Sequence, residues 1–304
     1  MNSISWVSVA EQHITKYKQP LPYQVIGLFF SLMSKVSLRK ASEWFGQLWF
    51  APVKGKISEK DQQWLTSART TQLKFKGKYV PVYQWGYGPT IWCIHGWAGH
   101  SGQFRQIAGE LIKSGYSVLC IDAPAHGKAQ GKRTNLVAMS KLVLTLEQEF
   151  GAPYGIVAHS AGGLAVNYAL QSGLKAEKTV FISTPLSLDY VIDISQHQMS
   201  LPLSLMDVHR SLIEKRFEKQ VWDLLSMEKF QDTQPSLFLY DNSDNQVSPE
   251  MGLHLQRLHN KSQFSFSENL GHNRILRDEN TRDNIVRFIA ADPFTIEEKK
   301  GSPL

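Results

Sequence analysis

The segment Val157-Ala158-His159-Ser160-Ala161-Gly162-Gly163 decides how this chain folds, because it joins two elements through a run of small residues. Apolar residues over Tyr154–Ala158 predict a strand before it, and Leu164–Leu170 predicts a helix after it. A serine between small residues at such a junction is typical of a nucleophile elbow, whose turn is too sharp for bulky neighbours. The following helix offers unpaired N–H groups and a positive dipole to an oxyanion. Position 158 holds alanine where Gly-x-Ser-x-Gly has glycine, and the motif alone also fits an ordinary strand-to-helix turn.

Length and composition narrow the class of protein. A chain of 304 residues can bury a large core and suits one α/β domain with an insertion, or two small domains. With 42% hydrophobic and 20% charged residues, the composition indicates a globular protein rather than a disordered one. The net charge of +6 comes from basic and acidic residues mixed along the chain, so we expect no nucleic-acid partner.

The cysteines and the N-terminus bear on the compartment. Cys93 and Cys120 lie inside apolar runs, which predicts buried, reduced thiols and neither a disulfide framework nor a metal site. Residues Met1–Gln12 lack the basic start and apolar centre of a secretory signal. The apolar stretch Tyr23–Met33 is shorter than the ~20 residues of a membrane span. We therefore expect a cytoplasmic protein.

From residue 90 onward the pattern alternates between strand and helix, which indicates a parallel sheet covered on both faces. The predicted strands are Thr71–Phe75, Tyr79–Trp85, Thr90–Ile94, Ser117–Ile121, Tyr154–His159, Lys178–Ile182, Ser236–Tyr240 and Gln263–Phe266. The predicted helices are Gln103–Lys113, Asn135–Phe150, Ala161–Ser172, Pro249–Leu258 and Arg274–Ala290. Residues 186–235 interrupt the alternation with a largely helical pattern. An insertion at the carboxyl ends of parallel strands would lie over the ligand crevice.

The N-terminal part carries helical spacing over Tyr23–Phe50, followed by a polar connection with a short helix over residues 53–68. The favoured interpretation is a helix packed on the domain or forming a dimer contact, because amphipathic helices usually face a core. The alternative is a helix on a membrane surface, assisted by Lys35, Arg39 and Lys40. The oligomeric state is not defined by the sequence.

A serine nucleophile needs a base, and the base needs an acid to orient it; in this kind of fold their chain order is serine, acid, histidine. His272, beside Gly271 after the last predicted strand, is the candidate base for Ser160. Asp241 and Asp244 both follow the strand before it and compete for the role of the acid.

An oxyanion hole needs two backbone N–H groups. One is expected from Ala161, which follows the serine, and the other from Trp97 in the loop Ile94–His100. We expect His95 to shape this loop by hydrogen bonding, whereas the sequence leaves the direction of His100 open. The ionisable residues Asp122, His126 and His159 are interpreted as structural, the first two fixing a tight loop and the third packing beside the elbow.

Motifs in the expected order resemble the α/β-hydrolase superfamily, in its serine-hydrolase branch of esterases and lipases. They are His95-Gly96-Trp97, Asp122-x-Pro-x-His126-Gly127, His159-Ser160-x-Gly162-Gly163 and Gly271-His272. The segment Asp244-x-x-Val247 resembles the acid loop of the family and favours Asp244 over Asp241. Aspartate stands at position 241 and alanine at position 125, where the family usually has glycine. The resemblance covers roughly residues 70–290.

The resemblance implies an α/β-hydrolase fold, with an eight-stranded, mostly parallel sheet, helices on both faces and a helical cap insertion. The expected divisions are an N-terminal helical extension over 1–68, a core over 69–185 and 236–291, a cap over 186–235 and a tail over 292–304. It also implies hydrolysis of a carboxylic ester through an acyl-enzyme, without cofactor or metal, by Ser160, His272 and Asp244. The alternatives are a thioesterase, an amide or C–C bond hydrolase with the same residues, and a non-catalytic ligand-binding protein on this scaffold.

Overall fold

The computed structural model describes residues 21–291, and the expectations for residues 1–20 and the tail 292–304 lie outside this range. Its centre is an eight-stranded sheet in the order β1-β2-β4-β3-β5-β6-β7-β8. The strands are β1 Arg69–Phe75, β2 Lys78–Trp85, β3 Thr90–Ile94, β4 Ser117–Ile121, β5 Gly155–His159, β6 Lys178–Ile182, β7 Ser236–Asp241 and β8 Gln263–Ser267. Strand β2 pairs antiparallel with β1 and with β4, and all other pairs are parallel. The predicted sheet is therefore confirmed.

The α-helices lie between and around these strands. They are α1 Leu21–Val36, α2 Leu38–Trp49, α3 Glu59–Thr66, α4 Arg105–Lys113, α5 Leu136–Phe150, α6 Ala161–Gln171, α7 Leu188–Met199, α8 Leu203–Phe217, α9 Val221–Leu224, α10 Pro249–Leu258, α11 Gly271–Arg274 and α12 Glu279–Ala290. Short 3₁₀ turns cover Ser101–Phe104, Met227–Lys229 and Ile275–Arg277.

Successive residues of a strand point to opposite faces, and β3 shows how this builds two apolar layers. Ile91 and Cys93 join one core cluster, which includes residues of α4 and α12. Trp92 and Ile94 join the other, which includes residues of α5, α6 and α10. All four side chains are buried. A parallel sheet covered on both faces requires such continuous apolar runs, which is why β3 was recognisable from sequence.

Two helix predictions need correction. The helix predicted over Arg274–Ala290 is broken, because Asp278 has extended backbone and its carboxylate caps α12 by accepting the N–H of Thr281. The helical region predicted over Tyr23–Phe50 is likewise two helices, and Ser37 between them has extended backbone and caps α2 through Lys40 N–H. Both breaks occur at a residue that hydrogen-bonds a helix start better than it continues a helix.

The N-terminal helices pack on the helical insertion, residues 186–235. Phe30 of α1 and Phe45 of α2 are buried, with ring centroids 5.4 Å apart in an edge-on arrangement. The ring of His209 in α8 lies 5.0 Å from that of Phe45. The interpretation of a helix packed on the domain is thus supported for the buried side of each helix. Within residues 21–291, no helix has the length and apolar character needed to cross a membrane.

The insertion leaves and rejoins the core at one place. Ser187 and Ser226, near its two ends, form an isolated antiparallel bridge. Asn167 of α6 donates from Nδ2 to the carbonyl of Ser226 at 2.7 Å. This hydrogen bond connects the bridge to the helix that follows Ser160. Tyr190 of α7 lies near the loop after β7, where burial and the charge of Asp244 raise its pKa. The insertion is therefore anchored beside the carboxyl ends of the central strands.

Two buried polar features lie in the sheet. Cys93 and Cys120 are register partners on β3 and β4, and both are buried free thiols, as predicted. Lys178, the first residue of β6, donates from Nζ to the carbonyls of Phe288 at 3.1 Å and Ile289 at 2.8 Å, and also to that of Ala291. A cation that binds the last carbonyls of a helix satisfies acceptors that have no partner within the helix. Lys178 thus fastens the end of α12 to the sheet.

Candidate active site

Ser160 occupies a strained turn between β5 and α6. Its φ of 53° and ψ of −131° lie in a region that L-residues rarely adopt. The turn is held because Ser160 N–H donates to the Ile182 carbonyl at 2.9 Å, and Gly163 N–H donates to the Ser160 carbonyl at 2.8 Å. This geometry brings the hydroxyl out of the sheet at the start of a helix, as expected of a nucleophile elbow.

The small residues around Ser160 are required by close backbone approach. A methyl group on Gly162 would lie 2.6 Å from the Ile94 carbonyl oxygen and 2.5 Å from that of His95. A methyl group on Gly163 would lie 2.0 Å from Thr184 Oγ1. Ala158 has a methyl group that is fully buried, on a residue paired in register with Ile94 and Phe181. The departure from glycine at position 158 is therefore accommodated within the sheet.

His272, in α11, lies between Ser160 and Asp244. Its Nε2 is 2.9 Å from Ser160 Oγ, and its Nδ1 is 2.8 Å from Asp244 Oδ2. Since a carboxylate only accepts, the pair assigns the proton to Nδ1 and leaves Nε2 to accept the serine hydroxyl. The structure thus brings together three residues that are far apart in the sequence.

Asp244 is buried in the loop after β7, yet it remains a carboxylate. Burial acts to raise its pKa, but His272 and two backbone N–H groups outweigh this and hold the pKa below its usual value. The N–H groups are those of Gln246 at 2.8 Å and Val247 at 3.0 Å, both on Oδ1. One oxygen is therefore fixed by the loop, and the other faces the imidazole.

Asp241, the competing acid in the sequence, binds backbone instead of imidazole. Its carboxylate accepts the N–H groups of Leu270 and Gly271, the latter at 2.7 Å. It also accepts Ser243 N–H at 2.9 Å and the Ser267 hydroxyl at 2.7 Å. Asp241 therefore joins the acid loop to the residues directly before His272. Sequence reasoning missed this role, although the departure from the family's glycine at position 241 was its one signal.

The loop after β3 runs directly against Ser160. A methyl group on Gly96 would lie 2.7 Å from Ser160 Cβ and 3.2 Å from its Oγ, so only glycine fits there. Trp97 follows Gly96, and its ring meets that of His126 edge-on at 5.2 Å. Ala161 is the first residue of α6. Trp97 and Ala161 were predicted from sequence to donate their backbone N–H groups. Trp97 follows Gly96, which packs against Ser160, and Ala161 is bonded directly to Ser160.

His95 and His126 hold the neighbouring loops. Nε2 of His95 accepts Ala123 N–H at 3.0 Å, while its Nδ1–H donates to the Gly96 carbonyl at 2.7 Å. His126 Nδ1 lies 3.1 Å from the Pro124 carbonyl. Burial lowers the pKa of His95, and it lowers that of His126 to about 3, so both rings are neutral. These contacts agree with the structural interpretation of both residues.

The remaining ionisable residues near the site also face protein. Asp122 accepts both the N–H and the hydroxyl of Ser101 at 2.7 Å, and Lys128 N–H at 2.8 Å. His159 Nε2 lies 2.9 Å from the carbonyl of His272, and burial lowers its pKa to about 3. His100, whose direction the sequence left open, is buried. In the described part of the chain, no group of three or more His, Cys, Asp or Glu side chains is arranged to hold a metal ion.

The eight-stranded, mostly parallel sheet, with a strained serine turn at the end of its fifth strand, has the arrangement of the α/β-hydrolase fold. A family model described as serine aminopeptidase, S33, matches residues 89–220. The expected fold is confirmed, and the family model supports the expected superfamily.

Known proteins similar to this chain include esterases and a thioesterase. It is 31% identical over 101 residues to the pimeloyl-[acyl-carrier protein] methyl ester esterase of Chromobacterium violaceum, covering 33% of this chain and 38% of that protein. The chain thus spans well under half the length of the curated relatives it matches.

Solved structures share the fold at low identity. An esterase from Exiguobacterium antarcticum has a TM-score of 0.57 and 16% identity, covering 73% of this chain and 99% of that one. The thioesterase domain from the curacin biosynthetic pathway has a TM-score of 0.53 and 17% identity, covering 74% and 99%. These likenesses establish the fold.

Proposed function

We propose that the protein is a serine hydrolase that cleaves a carboxylic ester through an acyl-enzyme. The observation that carries the proposal is the continuous hydrogen-bonded chain from Ser160 Oγ through His272 to Asp244, with contacts of 2.9 and 2.8 Å. A hydroxyl becomes an effective nucleophile when a neutral imidazole accepts its proton, and a buried carboxylate stabilises the imidazolium that results. Ser160 is the nucleophile, His272 the base and Asp244 the orienting acid.

The proposed reaction has two half-reactions. Ser160 Oγ attacks the ester carbonyl while His272 Nε2 takes the hydroxyl proton, and the N–H groups of Trp97 and Ala161 hold the oxyanion. Collapse of the tetrahedral intermediate breaks the bond to the alcohol, which leaves with the proton from Nε2. Water then attacks the acyl-enzyme while Nε2 takes one of its protons. Collapse of this second intermediate breaks the bond to Ser160 Oγ, which takes the proton back from Nε2, and the acid is released. Asp244 keeps Nδ1 protonated in every step.

A carboxylic ester is favoured over a thioester as the substrate. The similarity to a methyl ester esterase supports an ester, and the shared fold with a thioesterase domain keeps the thioester as the second candidate. The insertion carries the basic residues His209, Arg210, Lys215, Arg216 and Lys219, which would attract an anionic acyl group if they faced the substrate, but two of them make other contacts. Arg210 contacts Asp189 at 2.8 Å and also Asp193, and His209 is buried.

The decisive experiment compares the wild-type protein with Ser160→Ala on a short-chain p-nitrophenyl ester. We expect the variant to lose at least about a thousandfold in kcat, while its circular dichroism and unfolding midpoint stay close to wild type. Residual activity within a few fold of wild type contradicts the proposal. Rates on matched oxygen esters and thioesters then separate the two substrate classes, and equal rates contradict the preference for esters.

A non-catalytic ligand-binding role on the same scaffold is separated by chemistry. A fluorophosphonate probe should label Ser160 in the wild-type protein and fail to label Ser160→Ala, because phosphonylation needs the activated hydroxyl. An unlabelled wild-type protein supports the binding role instead.

We also propose that residues 186–235 act as the cap over the substrate site, with residues 69–185 and 236–291 as the core. The buried reduced thiols favour a cytoplasmic location.

A further inference from the structure

One side of helix α1 exposes apolar residues to solvent. They are Leu21, Val25, Leu28, Phe29, Leu32 and Val36. At 100° per residue these positions fall within an arc of about 100° on the helix. Leu28 is 63% exposed and Val36 is 88% exposed, so this is no part of the folded core. Contiguous apolar surface of this kind marks a site of interaction.

The opposite side of α1 is fixed to the protein. Gly27 and Phe30 are its buried residues. The backbone at Gly27 packs so closely on α7 that a methyl group there would lie 1.6 Å from the Met199 carbonyl oxygen. Phe30 contacts Phe45 of α2, which contacts His209 of α8. The apolar face is therefore presented outward by a helix that is held firmly on the insertion.

Basic residues border the apolar face, and acidic residues are absent from it. Helix α1 contains no Asp or Glu between Leu21 and Val36. Lys35 lies in its last turn, next to the apolar arc, and Arg39 and Lys40 follow within the first turn of α2. Arg39 pairs with Glu43 at 3.0 Å on an exposed surface, where such a pair contributes little. The border of the face thus carries net positive charge.

We propose that α1 docks the protein on an anionic lipid surface, with the helix lying flat and its apolar face in the headgroup region. An exposed apolar stripe with flanking Lys and Arg is the pattern that binds such interfaces. A second copy fits less well. Antiparallel pairing of two α1 helices would set the basic end of each against the positive N-terminal end of the other. Residues Leu21–Val36 contain no carboxylate that could offset this repulsion.

Docking in this way would hold the insertion against the lipid. Because α1 and α2 pack on α7 and α8, an acyl ester leaving the bilayer would meet the insertion before bulk water. This consequence rests on the proposed function, whereas the docking itself does not, since it requires no catalysis.

Co-sedimentation with vesicles tests the docking. The probes are phosphatidylglycerol-containing vesicles and pure phosphatidylcholine vesicles, with full-length wild-type protein. We expect binding to the anionic vesicles that weakens as salt is raised, and at least tenfold weaker partitioning to the zwitterionic ones. The double variant Leu28→Glu/Leu32→Glu should abolish binding. Changing Lys35, Arg39 and Lys40 to Gln should weaken binding to the anionic vesicles about fivefold for each positive charge removed.

The matched control is Leu253→Glu, which alters an exposed leucine on helix α10 and should bind like wild type. Ser160→Ala should also bind like wild type, which separates failure of the docking from failure of the proposed reaction. Equal partitioning of wild type and the double variant overturns the proposal. The proposal is also overturned if the wild-type protein is a dimer that does not bind vesicles and the variant Leu28→Glu/Leu32→Glu is a monomer. In that case the apolar face of α1 is covered by a second copy of the chain.

Discussion

Asp241 and Asp244 stand three residues apart and hold the same histidine loop at two different points. Asp244 Oδ2 accepts from the ring of His272 at 2.8 Å, whereas Asp241 Oδ1 accepts Gly271 N–H at 2.7 Å. One carboxylate therefore fixes the tautomer of the imidazole, and the other fixes the backbone that carries it. The two functions can be separated by conservative substitution.

Changing Asp244 to Asn should remove the charge and leave the shape. The amide can present its NH₂ group to Nδ1, which would place the ring proton on Nε2 and prevent that atom from accepting the serine proton. We expect kcat to fall by about 10³–10⁴, measured on a p-nitrophenyl ester, with little change in the urea midpoint. A variant that retains a tenth of the activity contradicts the role of Asp244 as the orienting acid.

Changing Asp241 to Asn should affect the position of His272 and leave its proton transfer with Ser160 intact. The variant weakens the acceptor of Leu270 and Gly271 N–H groups, so the loop before His272 is held less firmly. We expect a stability loss of about 1–3 kcal/mol, and a fall in kcat far smaller than that of the Asp244 variant. Urea unfolding and steady-state kinetics on the same preparations measure both. A larger kcat loss at position 241 than at 244 reverses the assignment.

Local pattern was enough for the sheet and for the choice of Ser160, Asp244 and His272 as candidates, whereas the role of Asp241 depends on contacts between distant parts of the chain. The bounds of Thr90–Ile94 and Lys178–Ile182 were predictable because each consists of apolar or β-branched residues between clear breaks, apart from Lys178 at the start of the second. The break at Asp278 was missed, because the flanking residues keep helical spacing and only the capping bond to Thr281 N–H ends the pattern. The role of Asp241 was missed because its partners Leu270 and Gly271 are about thirty residues away and are backbone groups, which no side-chain pattern reveals.

Two glycine-to-alanine changes should have opposite effects on stability. Gly162→Ala sets a methyl group against the carbonyl oxygens of Ile94 and His95, which belong to a central strand and its loop and cannot move aside. We expect a loss of about 1–3 kcal/mol and a marked fall in activity. Gly109→Ala, in helix α4, meets nothing within 4 Å. It should stabilise by about 0.5–1 kcal/mol. Equal urea midpoints for the two variants would refute the close approach at Gly162.

His209 should make stability depend on pH. It is buried among Phe45, Trp49 and Phe50, and neither ring nitrogen has a hydrogen-bond partner within residues 21–291. Burial, together with the charge of Arg210, lowers its pKa from 6.5 to about 4. Between these values the unfolded chain binds the proton and the folded chain does not. The contribution to stability is therefore complete above pH 6.5 and is lost as the pH falls toward 4.

The variant His209→Phe removes this titration and keeps the aromatic contacts. At about 1.4 kcal/mol per pH unit, the loss of unfolding free energy between pH 7 and pH 4 should shrink by up to about 3 kcal/mol. Urea unfolding of both proteins across this range measures the difference, and pH 8 serves as the reference condition. Parallel pH profiles for wild type and variant show that His209 is not the titrating group.

The attachment of α12 by Lys178 decides on which side of the molecule the described chain ends. Lys178 is the first residue of β6, so it marks the amino-terminal edge of the sheet, whereas Ser160 and His272 lie at the carboxyl edge. The described chain therefore ends on the side of the sheet remote from the Ser160 hydroxyl. A fluorophore or solid support coupled at position 291 would therefore hold the molecule by the edge of the sheet opposite to Ser160.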